Sequence, residues 1–177
     1  MRRSTLLLPV LALLFFTGCE KPYLMNKSPN PPLNTYGSFN VLPVNNDTFI
    51  KENMQAKDDA DRQKYITITN DAAGMVRNQV TQWLAGHWQN SSARKADVQI
   101  DLLDYSGGSA AARFFVGAGA GNGHVTYEMR VVDHQTQALV SKITINQPIT
   151  GQMFGADKYL AFNSAAKRMD QFFEDNQ

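Results

Sequence analysis

The chain has 177 residues, with 17 Lys and Arg against 16 Asp and Glu and a single cysteine. This near-neutral balance leaves no basic surplus to hold nucleic acid or anionic lipid headgroups. One cysteine excludes an internal disulfide, and the 43% hydrophobic content suits a domain with a real core.

Met1-Arg2-Arg3 is followed by an apolar run from Leu6 to Phe16, which ends in Thr17-Gly18-Cys19. A cationic start, an apolar stretch of about 7–15 residues and small residues at the cut point make a secretory signal. The run falls short of the roughly 20 residues that a membrane span needs. The alternative is an uncleaved signal anchor. Phe16-Thr17-Gly18-Cys19 resembles the lipobox of bacterial lipoproteins, although leucine is more usual than Phe16 at its first position. The resemblance implies cleavage before Cys19 and a lipid on its sulfur. A lone thiol in an oxidising compartment is a liability unless it is used, and lipidation uses it. Glu20 is not the Asp that favours inner-membrane retention in enterobacterial lipoproteins, so the resemblance points to the outer membrane, facing the periplasm.

Residues 1–18 are thus expected to form a signal peptide, residues 19–36 a lipidated cysteine with a Pro/Asn-rich linker, and residues 37–177 one periplasmic domain. Without residues 1–18, 15 basic side chains face 16 acidic ones. Pro29, Pro31 and Pro32 lack amide donors and fix their own backbone angle, which predicts an extended spacer. The alternative for this segment is docking on the domain or a partner through Tyr23 and Leu24.

Ser38–Val44 reads as a first strand, broken by Asn45-Asn46-Asp47. Residues 47–64 are rich in Lys, Asp, Glu and Gln and read as a solvated loop with a short helix at most. Tyr65–Thr69 fits a short strand or the lead-in to a helix opened by Asp71. Ala72, Met75, Val76, Val80, Trp83, Leu84 and His87 recur at three- and four-residue steps on one face of that helix, which ends near Gly86. Asp97–Leu102 alternates, with Val98, Ile100 and Leu102 inward, and Tyr105–Ser109 reads as a turn. His124–Val131 and Ala138–Ile145 alternate around the turn Asp133–Thr136 and make the clearest hairpin. From Asp157, a last helix shows Phe162, Ala165, Ala166, Met169, Phe172 and Phe173 on its apolar face, with Asp170 elsewhere. The predicted class is α+β (an α/β sandwich): a mixed sheet of about four to five strands with a long β-hairpin, packed by two main helices.

Between strand and hairpin lies the glycine run Gly117, Gly119, Gly121 and Gly123, followed by His124. It lacks the spacing of a G-x-G-x-x-G loop, and a strand rather than a helix follows it, which argues against a phosphate cradle. The run serves either a tight bulge or an interaction loop that docks on a partner chain. Arg113, Phe114, Gly117, Gly119, Ala120 and Gly121, with Val131-Val132-Asp133, Thr136, Leu139 and Val140, resemble an uncharacterised Gram-negative lipoprotein family, a domain of unknown function. Its element order is similar to that of curli-secretion lipoproteins and of lipoprotein activators of cell-wall synthases, a fold-level analogy that carries no activity.

His87, His124 and His134 do not stand at metal-ligand spacing. His87 reads as a capping or packing side chain, His134 as a turn residue, and His124 lacks an evident nucleophile. Asp101 with Asp104, at a strand end, suggests at most a weak cation site, and Asp58-Asp59 a solvated loop. Trp83 is expected in the core and Trp88 partly exposed. No serine nucleophile elbow is present. The sequence therefore predicts no catalytic residue, no metal and no cofactor. It predicts a non-enzymatic envelope lipoprotein, tethered to the membrane by lipid, that binds or supports another envelope component, with its oligomeric state open. The alternatives are an oligomeric subunit of a secretion or surface-assembly apparatus and a cell-wall-directed hydrolase built around His124.

Overall fold

Alternating apolar residues on three long strands build the centre of the molecule. The computed structural model describes residues 23–53, 58–106, 123–149 and 158–177. In chain order these form β1 (Leu24–Lys27), a 3-10 turn (Leu33–Thr35), β2 (Ser38–Val41), α1 (Asp47–Asn53), α2 (Asp59–His87), β3 (Lys95–Ser106), β4 (Gly123–Asp133), β5 (Leu139–Ile149) and α3 (Lys158–Glu174). The five strands make one sheet in the order β1-β5-β4-β3-β2. β1, β5, β4 and β3 are mutually antiparallel neighbours, and β2 joins β3 in parallel. The mixed sheet with its helices is the expected α+β fold.

The inward set matches the alternation. Val98, Ile100, Leu102, Val125, Tyr127, Met129, Ile143 and Ile145 are fully buried. Phe162, Ala165, Ala166, Met169, Phe172 and Phe173 of α3 close over them, and Phe162 meets both Tyr105 and Tyr127. Asp170 departs from expectation: it is buried where α3 meets α2, and Gln79 donates to it at 3.0 Å.

Helix α2 starts well before Asp71. Asp58 caps it by accepting the amide of Asp61 at 2.8 Å. Tyr65–Thr69 is helical, with Ile68 and Thr69 buried; the Thr67 and Thr69 hydroxyls are satisfied within the helix by the carbonyls of Gln63 and Tyr65 one turn back. Met75 and His87, placed on the apolar face by periodicity, are exposed. The stretch after Asp47 is likewise more than a solvated loop: Phe49 of α1 is fully buried beside Tyr105.

The proline-rich stretch is corrected from residue 23 onward. β1 pairs with β5 as an edge strand, and Tyr23, Leu33 and Tyr36 lie in the core. Apolar side chains at these three positions repay the ordering that prolines alone would not enforce. Docking runs through Tyr23 and not through Leu24, which is 65% exposed.

β3 also runs further than its alternation suggested. A bulge at Leu103 shifts the register between Leu102 and Asp104. One extra residue restores the inward side to Tyr105 and turns Asp104 outward, so Tyr105 and Ser106 continue the strand instead of turning.

Candidate functional site: the open face of the sheet

The helices pack on one face of the sheet, so the outward residues of β3, β4 and β5 form a second, polar face. Register places Asp101 opposite Glu128, Gln99 opposite Arg130, and Arg130 opposite Lys142. Arg130 donates to Asp101 at 2.5 Å and lies 3.6 Å from Glu128. Lys142 reaches Glu128 at 2.6 Å. Asn45, in the segment that follows β2, donates to the other oxygen of Asp101 at 2.8 Å. Two carboxylates and two cations thus form a balanced ladder across three strands. Opposite charges at neighbouring positions contribute roughly 0.2–1 kcal/mol each, enough to fix side-chain positions and too little to drive folding.

At the far end of the same face, Ser106 stands opposite His124, and the imidazole Nε2 lies 2.5 Å from Asp104. The pair is open to solvent on both sides, at 37% and 45% exposure. A carboxylate fixes an imidazole's orientation in this way. Asp101 and Asp104, expected together as a weak cation site, are separated by the bulge and engaged by different partners. Among the described residues no group of three or more His, Cys, Asp or Glu gathers to hold a metal ion.

The other sequence candidates distribute as follows. Cys19, Gly117, Gly119 and Gly121 lie outside the described residues, as do Arg113, Phe114 and Ala120. Gly123 is buried at the start of β4, opposite Ile149. His87 is a packing residue: it stacks on Trp83 at 4.8 Å, and its Nδ1 lies 2.9 Å from the Trp83 carbonyl. Trp83 is only partly buried, and Trp88, half-buried, donates its indole proton to the Tyr36 carbonyl at 2.9 Å. His134 pairs with buried Asp97 at 3.0 Å. A shallow hollow of about 240 Å³ between Asn34, His87, Trp88, Gln89, Asn90 and Gln177 lies at the opposite end of the sheet from His124.

Part of the Val131–Val140 signature has a structural explanation. Asp133 is buried at the end of β4 and accepts the amides of Gln135 and Thr136, the Thr136 hydroxyl, the Tyr36 hydroxyl and the Arg94 guanidinium. The Thr136 amide first, against the opposing effect of burial, and then Arg94 hold its carboxyl far below the usual carboxylate range. Arg94 also lies over the Tyr36 ring, 4.6 Å from its centre. This cluster ties the turn, the start of β3 and the segment before β2 together. The charge ladder is what the sequence reading missed. Its signal was present in the opposite charges at the outward positions of β3, β4 and β5, which become partners only once register is known.

The profile of DUF4410, a domain of unknown function, matches residues 43–156. The chain belongs to the DUF4410 family. That span takes in α1, α2 and the three central strands, and so the ladder and all of the Asp133 cluster except Tyr36. No curated protein matches this DUF4410 chain. Among solved structures it is similar to the PelC dodecamer from Paraburkholderia phytofirmans, at 12% identity and TM-score 0.47 over 84% of this chain and 94% of that one. It is also similar to protein XCC0632 from Xanthomonas campestris, at 12% identity and TM-score 0.48 over 82% and 87%. At these scores nothing about assembly, partner or activity follows for the DUF4410 chain. Among the described residues no helix is long and apolar enough to cross a membrane.

Proposed function

We propose that this protein is a non-enzymatic envelope lipoprotein, anchored through a lipid on Cys19, whose open sheet face binds another envelope component. The observation that carries the binding role is the ladder Asp101–Arg130–Glu128–Lys142. It is a charge-balanced surface on three long strands, built from cross-strand pairs. Rigid secondary structure presents such groups with little ordering cost on binding, and alternating charge signs give register and selectivity more than raw affinity. The lipid anchor rests on Phe16-Thr17-Gly18-Cys19 behind a charged and apolar leader.

A photo-crosslinking residue at Thr126, outward on β4 between Asp104 and Asn146, tests the binding role. In cells it should give a discrete adduct that the same residue at exposed Gln82, on α2, does not. Thr126→Arg, which obstructs the face without breaking an ion pair, should abolish an adduct formed from Thr144. An adduct pattern equal at Thr126 and Gln82 would reject the sheet face as the binding surface.

A second reading, self-assembly of copies, is favoured by one feature. β1 is a sheet edge bearing exposed Leu24, and unpaired edges template strand addition.

A further inference from the structure

We infer that the lipid holds the domain directly against the bilayer, with the β1 edge of the sheet facing the headgroup surface and the β2 edge turned away from it. The inference rests on lipidation of Cys19, as proposed above, and on where the folded part begins. Tyr23 is only 5% exposed. Its hydroxyl donates to Asp175 Oδ2 at 2.6 Å, and its ring meets Phe172 edge-on at 5.6 Å. Leu24 and Met25 then pair with Thr144 and Ile143 of β5. The chain is therefore fastened to the domain from residue 23 onward, and only Glu20, Lys21 and Pro22 separate that fastening from Cys19.

Magnitudes decide the consequence. Four residue steps span at most about 14 Å even when fully extended. A domain of this size has a radius of gyration of roughly 15 Å, so the tether is shorter than the domain is wide. The domain cannot turn over on such a tether. Four inter-strand spacings of about 4.8 Å separate the two sheet edges, or some 19 Å. Leu24 sits on the tethered edge and points outward at 65% exposure, while Ser38 sits exposed on the far edge at the start of β2. The occupant of the β1 edge is thus the headgroup layer of the anchoring membrane, and the far edge is left open to the periplasm.

The test uses the full, lipidated protein. With Cys19 acylated, Leu24→Cys or Ser38→Cys supplies the only free thiol for a fluorophore. The labelled protein is reconstituted in phosphatidylcholine vesicles that carry a nitroxide on the headgroup. Quenching at position 24 is expected to exceed that at position 38 several-fold, and a flexible insert of about 20 Gly and Ser residues after Glu20 should bring the two together. Equal quenching at both positions in the parent chain overturns the inference and leaves the lipid anchor standing. A difference that survives the insert also overturns it, because something other than the short tether then sets the orientation. Failure of the protein to associate with vesicles removes the lipid anchor and the inference with it.

Discussion

Asp133 accepts hydrogen bonds from Tyr36, Arg94, Gln135 and Thr136, and its neighbour in space, Asp97, is held by Asn40 and His134. Burial alone would raise the pKa of Asp97, but the hydrogen bonds from Asn40 and His134 outweigh it and the net shift is downward. Both folded-state values lie below the ordinary value of 3.8. Their contribution is therefore complete above roughly pH 4–5 and is lost as pH falls through the folded values. Asp170 has the opposite sign. Burial raises it, so its protonated form suits the fold, and its contribution is lost as pH rises through its folded value. Denaturant midpoints measured from pH 7 down to pH 2 should fall steeply at the acid end, and Asp133→Asn should flatten that fall. An unchanged profile in Asp133→Asn would show that the cluster carries no linkage. Tyr127 tests burial without titration. Its ring is buried between sheet and α3, yet among the described residues its hydroxyl has no hydrogen-bond partner. An unpaired buried hydroxyl costs about 1–3 kcal/mol, so Tyr127→Phe should match or exceed the parent stability by up to about 1 kcal/mol in urea unfolding. A loss would point to a partner for that hydroxyl.

At the scale of elements, what could be read from sequence was what local periodicity encodes. The β4–β5 hairpin, the inward set Val98, Ile100 and Leu102, and the apolar face of α3 all follow from side-chain period. The features that escaped depend on distant residues or on one-residue offsets. β1 is four residues, Leu-Met-Asn-Lys, with no pattern of its own; only β5 makes it a strand. Tyr65–Thr69 has strand-like composition, and the helix prevails through the burial of Ile68 and Thr69. The Leu103 bulge breaks the alternation just where a reader would end the strand. The ladder needed register, and the Asp104–His124 pair needed both the bulge and the hairpin. Gly37 illustrates the same limit. A Cβ there would lie 1.6 Å from the Ser92 carbonyl oxygen, an approach between segments 55 positions apart that no local pattern reveals. Gly37→Ala should cost at least about 1–3 kcal/mol by forcing the backbone apart. Thermal unfolding at neutral pH would show it, and an unchanged midpoint would mean that the two segments separate freely.

For the whole molecule, the N-terminal strand and the lipid proposal meet at Tyr23. If residues 23–36 were a free spacer, Tyr23→Ala would leave domain stability untouched. As a core residue bonded to Asp175 and packed on Phe172, it should cost about 3 kcal/mol, measured by chemical denaturation of the soluble domain. That value bears on the proposed anchorage, because a docked Tyr23 leaves three residues between Cys19 and the domain. The central claim is that this DUF4410 protein works as a lipid-anchored envelope protein, and the most direct measurement is the intact mass and N-terminal peptide of the mature chain isolated from membranes. The account predicts a chain that begins at Cys19 and carries acyl groups, and a Cys19→Ser variant that carries none and leaves the membrane fraction. A mature chain whose Cys19 is a free thiol, or a Cys19→Ser variant that stays membrane-bound, would contradict it.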